Sequence, residues 1–314
     1  MENKAKIYIA GHNGMVGSAL VEKLSKEGYS NLIVRSKQEL DLRNQNDVQD
    51  FFKKTNPEYV FLAAAKVGGI TCNKKYPADF IKDNLLIQTN VINAACDYGV
   101  IKFCFLGSAC IYPKMADVPI KESSLLTGAL EETNIAYAIA KIAGHIMCAK
   151  YKEQYGLNTI SLMPANLYGP NDNFNISQCH VIPALIRKFI QAKALNENFV
   201  ECYGDGTPTR EFLHVEDLAD AAIYLMRHYN SSDIINVGNG REVSIKQLSE
   251  TIKELVGYNG EIKWNTSYPN GTPRRFLDVS KINELGWKAK INLKEGLKDT
   301  IYWFQNNTEA SKRV

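Results

Sequence analysis

The sequence predicts an α/β fold: a doubly wound parallel sheet with a smaller α+β region on its C-terminal side. Three observations carry this. Short β-rich runs alternate with helical stretches through the first half of the 314 residues. That is the rhythm of right-handed βαβ units, which cover both faces of a parallel sheet. A glycine-rich turn joins the first strand to the first helix. From about residue 170 the rhythm breaks, and Pro, Asn, Asp and Gly become dense in 169–177, 203–208 and 268–273.

The elements follow in order. Lys6-Ile7-Tyr8-Ile9-Ala10 reads as a strand, and 15–27 as a helix stopped by Gly28. Leu32-Ile33-Val34 is a strand, 48–54 a helix, and Tyr59-Val60-Phe61-Leu62-Ala63 a strand. A long helix over 79–98 ends at Gly99, and a strand runs Phe103-Cys104-Phe105-Leu106. A second long helix, 136–155, ends at Gly156, and Thr159-Ile160-Ser161-Leu162-Met163 follows as a strand. Beyond it, helices over 181–194, 244–256 and 294–305 surround isolated strands such as Ile234-Ile235-Asn236-Val237. The polar end from about Asn306 is expected to fray.

Composition bounds the function. Thirty-seven basic against 34 acidic residues leave a net charge of +3, without the basic excess of a nucleic-acid binder. No apolar run reaches the ~18 residues of a membrane span. The N-terminus lacks the long apolar region of a signal peptide, so a cytoplasmic protein is expected. Seven scattered cysteines, odd in number and without C-x-x-C, suit neither a disulfide framework nor a structural zinc site. No metal is expected.

The turn reads Gly11-His12-Asn13-Gly14-Met15-Val16-Gly17. Glycines between a strand and a helix let the backbone approach a pyrophosphate, and the free N–H groups of the helix start favour the anion. The sheet is therefore expected to be Rossmann-type, with Gly11, Asn13, Gly14, Met15, Val16 and Gly17 at a dinucleotide. An NAD site places an acid ~20 positions on, for the ribose 2′-OH. Here the second strand ends Val34-Arg35-Ser36-Lys37. Two cations and a hydroxyl welcome a 2′-phosphate, so the expected cofactor is NADP(H).

Tyr137 and Lys141 stand at i and i+4 on one helix face. An ammonium there favours the phenolate and would bring the phenol toward a usable range. Ser108 follows a parallel strand at its carboxyl end, where ligands of open α/β sheets bind.

The motif order resembles the extended short-chain dehydrogenase/reductases. Contributing runs are Asn84-Leu85 after Ala63-Ala64-Ala65, Pro164-Ala165-Asn166-Leu167-Tyr168-Gly169-Pro170, and Arg210-Glu211-Phe212-Leu213-His214-Val215. Closer motifs resemble the GDP-L-fucose synthase family from about residue 6 to 305. They are Ala63 to Ile70, Tyr76-Pro77-Ala78-Asp79-Phe80-Ile81, Leu106-Gly107-Ser108-Ala109-Cys110-Ile111-Tyr112-Pro113-Lys114, Asn171-Asp172-Asn173-Phe174 and His180-Val181-Ile182-Pro183. The resemblance implies C3/C5 epimerisation and then C4 reduction of GDP-4-keto-6-deoxymannose, with Cys110 as base, His180 as acid, and Ser108, Tyr137 and Lys141 at the ketone. It also implies Asp41, Leu42, Ala64, Leu106, Gly107, Lys141, Pro164, Asn166, Leu167 and His180 around the cofactor. Lys188, Tyr203, Arg210 and Asp278 are implied on the GDP side. Without the resemblance, Cys110 reads as a small buried hydrophobe and His180 as a surface or N-cap residue.

The sequence departs from the family pattern in places. Ala109 stands for a second serine, Asn13 for an arginine, and Lys188 and Tyr203 for arginine and tryptophan. Lysine cannot form the bidentate phosphate fork. A C4 reductase acting on a GDP-4-keto-6-deoxy hexose or heptose is the alternative. The expected division is 1–165 for NADP, with some later segments returning to it, and 166–314 for the GDP-sugar. The two long helices carry small residues (Ala94, Ala95, Ala136, Ala138, Ala140, Ala143, Gly144), and the resemblance implies that such helices pair across a two-fold axis in a homodimer. His214 is expected to be structural.

Overall fold

The computed structural model describes residues 1–175, 178–268 and 270–307. Most of the expected frayed end lies outside them. In chain order the elements are β1 (Ile7–Ala10), α1 (Met15–Lys26), β2 (Leu32–Ile33), α2 (Gln45–Thr55), β3 (Tyr59–Leu62), α3 (Ile70–Lys75), α4 (Pro77–Asp97), β4 (Lys102–Leu106), α5 (Ile135–Tyr155), β5 (Thr159–Pro164), β6 (Asn166–Tyr168), α6 (Val181–Ala194), β7 (Phe199–Tyr203), β8 (Thr209–His214), α7 (Val215–His228), β9 (Ile234–Val237), β10 (Glu242–Ser244), α8 (Ile245–Val256), β11 (Glu261–Asn265), β12 (Arg274–Arg275), α9 (Ser280–Glu284) and α10 (Leu293–Asn306).

Six strands among the described residues form one sheet in the order β2-β1-β3-β4-β5-β9, every pair parallel. Strands buried on both faces read as continuous apolar runs, and β1, β4 and β5 are buried throughout. One face is covered by α1 and α7, which bring Leu20, Leu24, Leu218 and Ala222. The other is covered by α2, α4 and α5, with Phe51, Phe52, Val91, Ile92 and Cys148. The fold is therefore α/β with a doubly wound, Rossmann-type sheet. Strand order reverses between β1 and β3, and the crevice beyond their carboxyl ends is where such sheets bind ligands.

A smaller sheet is built on β8, flanked by β10, β12 and β6. A β7–β11 pair stands beside it. Helices α6, α8 and α10 pack there over a separate core that includes Phe189, Phe212, Leu248, Ile252, Ile301 and Phe304. Glu211 ties this region together from inside β8. Its buried carboxylate accepts N–H bonds from Gly240 (2.7 Å) and Leu277 (2.8 Å).

The structure corrects one expectation. Ile234–Val237 is no isolated strand; it is β9 of the central sheet, paired with β5. Helix α7, capped by His214 and opened by Glu216 and Asp217, returns to the first half and packs on α1. Most of the small residues of α4 and α5 are not on a free face, while Ala136 and Ala143 are half-buried. Ala94, Ala95, Ala138, Ala140 and Gly144 are buried within the chain, and a side chain at Gly144 would strike Phe105 and Gln88. They let α4 and α5 pack closely on each other and on the sheet. No helix among the described residues is long and apolar enough to cross a membrane.

The glycine turn shows why its residues are small. Gly11 has φ +87°, and a Cβ there would sit 2.7 Å from the Ala64 backbone. A Cβ at Gly17 would run into the Gly11 carbonyl. Because both obstacles are backbone, Gly17→Ala should cost about 1–3 kcal/mol of stability. A melting temperature within a degree of wild type would contradict this packing.

Candidate active site

The carboxyl ends of β1, β3 and β4 and the start of α5 bring most of the sequence candidates together. Gly14 is the N-cap of α1 and makes no side-chain cap bond, so the amides of Met15, Val16 and Gly17 lack intrahelical partners. Asn13 and Gly14 are exposed above them, and Ala64 lies against Gly11. This is a cradle for a pyrophosphate at a helix start.

At the end of β2, Arg35 and Lys37 are exposed. Arg35 lies over the Phe51 ring at 5.7 Å. The Ser36 N–H donates to Glu39 Oε2 at 2.7 Å. Bonds from the Ser36 backbone and hydroxyl, aided by Arg35 and His12, hold the Glu39 carboxylate below its usual range. Sequence reasoning missed Glu39. Its exposed carboxylate stands in for an anion on the Ser36 amide, so the spot suits a 2′-phosphate that displaces it. Asp41 is bound to Arg43 at 2.6 Å, which brings it down to about 2. The buried Leu42 gives its carbonyl to Asn90.

The candidate reacting groups cluster past β4. Gly107 follows Leu106 and packs against Met163. Ser108 caps the short 3-10 turn Ala109–Ile111, its hydroxyl accepting from Cys110 N at 3.3 Å. The same hydroxyl lies near the Cys110 thiol and the Tyr137 phenol and favours the ionised form of each. Lys141, 4% exposed, donates from Nζ to the Leu106 carbonyl at 2.8 Å and lies 5.8 Å from the Tyr137 ring centre.

Burial dominates the electrostatics of this cluster. It pushes the Cys110 thiol up, while the Ser108 bond and the charges of Arg275 and Lys141 oppose it. It pushes the Tyr137 phenol far up, with Cys110 adding to the rise. It brings the Lys141 ammonium down to about 8. Against the expectation from the i, i+4 spacing, Lys141 does not bring the Tyr137 phenol down at rest. At neutral pH the thiol and the phenol carry their protons, because desolvation outweighs the one nearby ammonium.

His180 is the N-cap of α6, but its ring makes no cap bond. His180 is exposed as a residue, and desolvation by the surrounding protein lowers its pKa. Two residues before it, the Gln178 carbonyl accepts from Gly69 N at 2.8 Å. That bond fixes the loop against the segment leaving β3. Asn166, exposed, donates to the Glu211 carbonyl at 2.9 Å. Pro164 ends β5 opposite Val237, and Leu167 pairs with Leu213.

On the far side, Lys188 Nζ lies 4.5 Å from the Tyr203 ring centre and donates to the Glu201 carbonyl. Tyr203 stacks on Tyr268 at 3.9 Å. Arg210 pairs in register with Arg275; burial lowers the pKa of both, and at Arg210 the charge of Arg275 adds to the fall. Asp278 does not pair with Arg210: its Oδ1 accepts from Ser280 N at 2.9 Å. Sequence reasoning missed Tyr268 and Arg275. An aromatic in an Asn/Ser-rich loop and the Arg274-Arg275 doublet before an apolar pair were the available signals. His214 is buried and caps α7 through Nδ1, a structural position.

The comparisons with known proteins bear on this arrangement. Residues 7–238 match the model of the NAD dependent epimerase/dehydratase family. GDP-L-fucose synthase 1 of Arabidopsis thaliana is 53% identical over 306 residues, 98% of this chain and 95% of that one. The chain belongs to this family, among the GDP-L-fucose synthases. Two solved structures from Campylobacter jejuni share its architecture. One, a GDP-6-OMe-4-keto-L-xylo-heptose reductase, has TM-score 0.94 and 42% identity, covering 97% of this chain and 99% of that one. The other is a GDP-mannoheptose C4 reductase with NADP bound, at TM-score 0.90 and 44% identity, covering 98% and 100%.

Lys141 provides a pH test of the family site. Its proton is held more weakly in the fold (about 8) than in the unfolded chain. Between about pH 8 and the ordinary lysine value the unfolded chain binds more protons, so folding stability rises with pH there. Wild type should gain melting temperature relative to Lys141→Met as pH rises from 7 to 9.5. A difference that stays constant would show that Lys141 is not desolvated.

Proposed function

We propose that this protein is an NADPH-dependent epimerase/reductase that converts a GDP-4-keto-6-deoxy sugar of the mannose-to-L-fucose type. The observation that carries the reading is Ser108, placed between the Cys110 thiol and the Tyr137 phenol. One hydroxyl thereby serves a proton-transfer group and a ketone-facing acid. The full-length kinship to GDP-L-fucose synthases supports the substrate class.

A ketone at C4 acidifies C3–H and C5–H, since either carbanion is an enolate. Cys110, as thiolate, removes the proton. Ser108 and Tyr137 hold the enolate oxygen. His180 delivers a proton to the opposite face and, being open to solvent, recharges from water. NADPH supplies the hydride for the final reduction. Tyr137 then gives its proton to the C4 oxygen, a role suited to a phenol that burial keeps protonated. Lys141 has donors left for the cofactor ribose beyond its bond to Leu106. Arg35, Ser36 and Lys37 take the 2′-phosphate. Lys188, Tyr203 and Arg210 take the GDP, and Asp278 stands at the edge of that group. In this division 1–165, with α7 and β9 returning to it, serves the cofactor, and the rest serves the nucleotide sugar.

The second reading is a C4 reductase without epimerase function, on a hexose or heptose. The C. jejuni reductases and Ala109 favour it. Incubation with GDP-4-keto-6-deoxymannose in D2O, with and without NADPH, separates the two by NMR of the product. Deuterium at C3 and C5 without NADPH is the expected result; reduction without exchange would select the reductase. Cys110→Ser should lower the exchange by about 10²-fold or more while ketone reduction survives. Exchange at the wild-type rate in that variant would remove Cys110 from the mechanism.

We further propose a homodimer through the α4–α5 face. Leu86 on α4 and Ile139 and Ile146 on α5 are 40%, 41% and 41% exposed, an apolar stripe where the interior small residues are not. Ile139→Arg with Ile146→Arg should halve the mass seen by light scattering. A wild-type monomer at micromolar concentration would refute the dimer. A cytoplasmic location fits the seven free thiols.

A further inference from the structure

Two carbonyls flank Cys110 along the chain, and one side chain holds both. Arg275 Nη2 donates to the Ala109 carbonyl at 2.6 Å and to the Tyr112 carbonyl at 3.3 Å. Arg275 arrives from β12, more than 160 residues away in sequence, in a strand whose neighbour is Arg210 on β8. We propose that Arg275 is a positioning residue for Cys110. Its guanidinium clamps the turn that carries the thiol and is the fixed positive charge that stabilises the thiolate.

The groups facing Cys110 are few. From the turn itself comes the Ser108 hydroxyl; from α5 come the Tyr137 phenol and the Lys141 ammonium; from β12 comes Arg275. Glu131 and Tyr112 face Arg275 in turn. Ser108 and Tyr137 are neutral at rest. Lys141 loses its proton at about 8, so its help fades as the thiol begins to ionise. A guanidinium does not deprotonate in proteins. Although burial lowers the pKa of Arg275, its charge persists across the working range. One of its nitrogens bonds both carbonyls, and its charge favours the ionised thiol. The positions of Arg275 and Arg210 on paired strands tie the thiol turn to the nucleotide side of the site.

This inference rests on Cys110 as the base, but its test reads the thiol directly. Wild type, Arg275→Gln and Arg275→Lys are alkylated with iodoacetamide from pH 6 to 10, and the Cys110 peptide is quantified by mass spectrometry. Glutamine keeps a donor for the carbonyls without the charge, and lysine keeps the charge. Arg275→Gln should raise the midpoint of Cys110 alkylation by about one unit, making it about tenfold slower below the midpoint. Arg275→Lys should stay within about threefold of wild type. Superimposable profiles in all three proteins would overturn the proposal. Equal shifts in both variants would also overturn it, by reducing Arg275 to a structural tie. The deuterium exchange of Cys110→Ser reads the base assignment separately, so failure of either idea is visible without the other.

Discussion

One buried bond holds the reacting groups in register: Lys141 Nζ to the Leu106 carbonyl at 2.8 Å. Leu106 ends β4, and Ser108 and Cys110 lie just beyond it. Lys141 is in α5, one turn from Tyr137. The bond therefore sets the distance between the strand that carries the hydroxyl and thiol and the helix that carries the phenol. An ammonium among buried apolar neighbours is costly unless it is bonded, and the Phe105 ring beneath it adds a cation–π contact at 5.0 Å. Close packing of α5 against α4 and the sheet, allowed by Gly144 and its neighbouring alanines, brings Lys141 within reach of that carbonyl.

Desolvation then determines the resting protonation of the site. The thiol and phenol are both pushed up, and the lysine is pushed down. A site built this way stores acids and holds little free charge until a substrate enters. The remaining permanent cations come from the second region of the chain. Arg210 and Arg275 lie side by side on β8 and β12, and repulsion between them adds to the burial that lowers the pKa of Arg210. Two adjacent guanidinium groups favour an anion across them. The buried Glu211 carboxylate, bonded to backbone amides of two separate segments, keeps these strands aligned.

Much of the fold was legible from residue order. The alternation of apolar runs and helical stretches marked the central strands, because strands buried on both faces must be apolar throughout. The glycine turn was legible because backbone-to-backbone contact forbids side chains at Gly11 and Gly17. Which later segments return to the first sheet, α7 and β9, was not legible. A helix and a strand returning to the first sheet after a long excursion have the same local pattern as elements that stay where they are. The small residues on α4 and α5 carry a related ambiguity. Composition shows that a close approach is made there, but not whether the partner is the same chain or another.

For the site, the sequence by itself determined which groups are available: a glycine cradle, cations after β2, and a serine, cysteine, tyrosine and lysine at fixed local spacings. Spacing of i and i+4 and position at a strand end follow from backbone geometry alone. Only the tertiary structure decided their chemical state and their distant partners. Protonation depends on how much water burial removes, which no local pattern records. It keeps Tyr137 and Cys110 protonated, where the i, i+4 spacing alone favours a lowered phenol. Likewise Arg275 reaches the carbonyls beside Cys110, and Tyr268 stacks on Tyr203, through long-range strand and loop placement. Contacts between residues far apart in the chain are set by packing, and local sequence carries no signal of which pairs will meet.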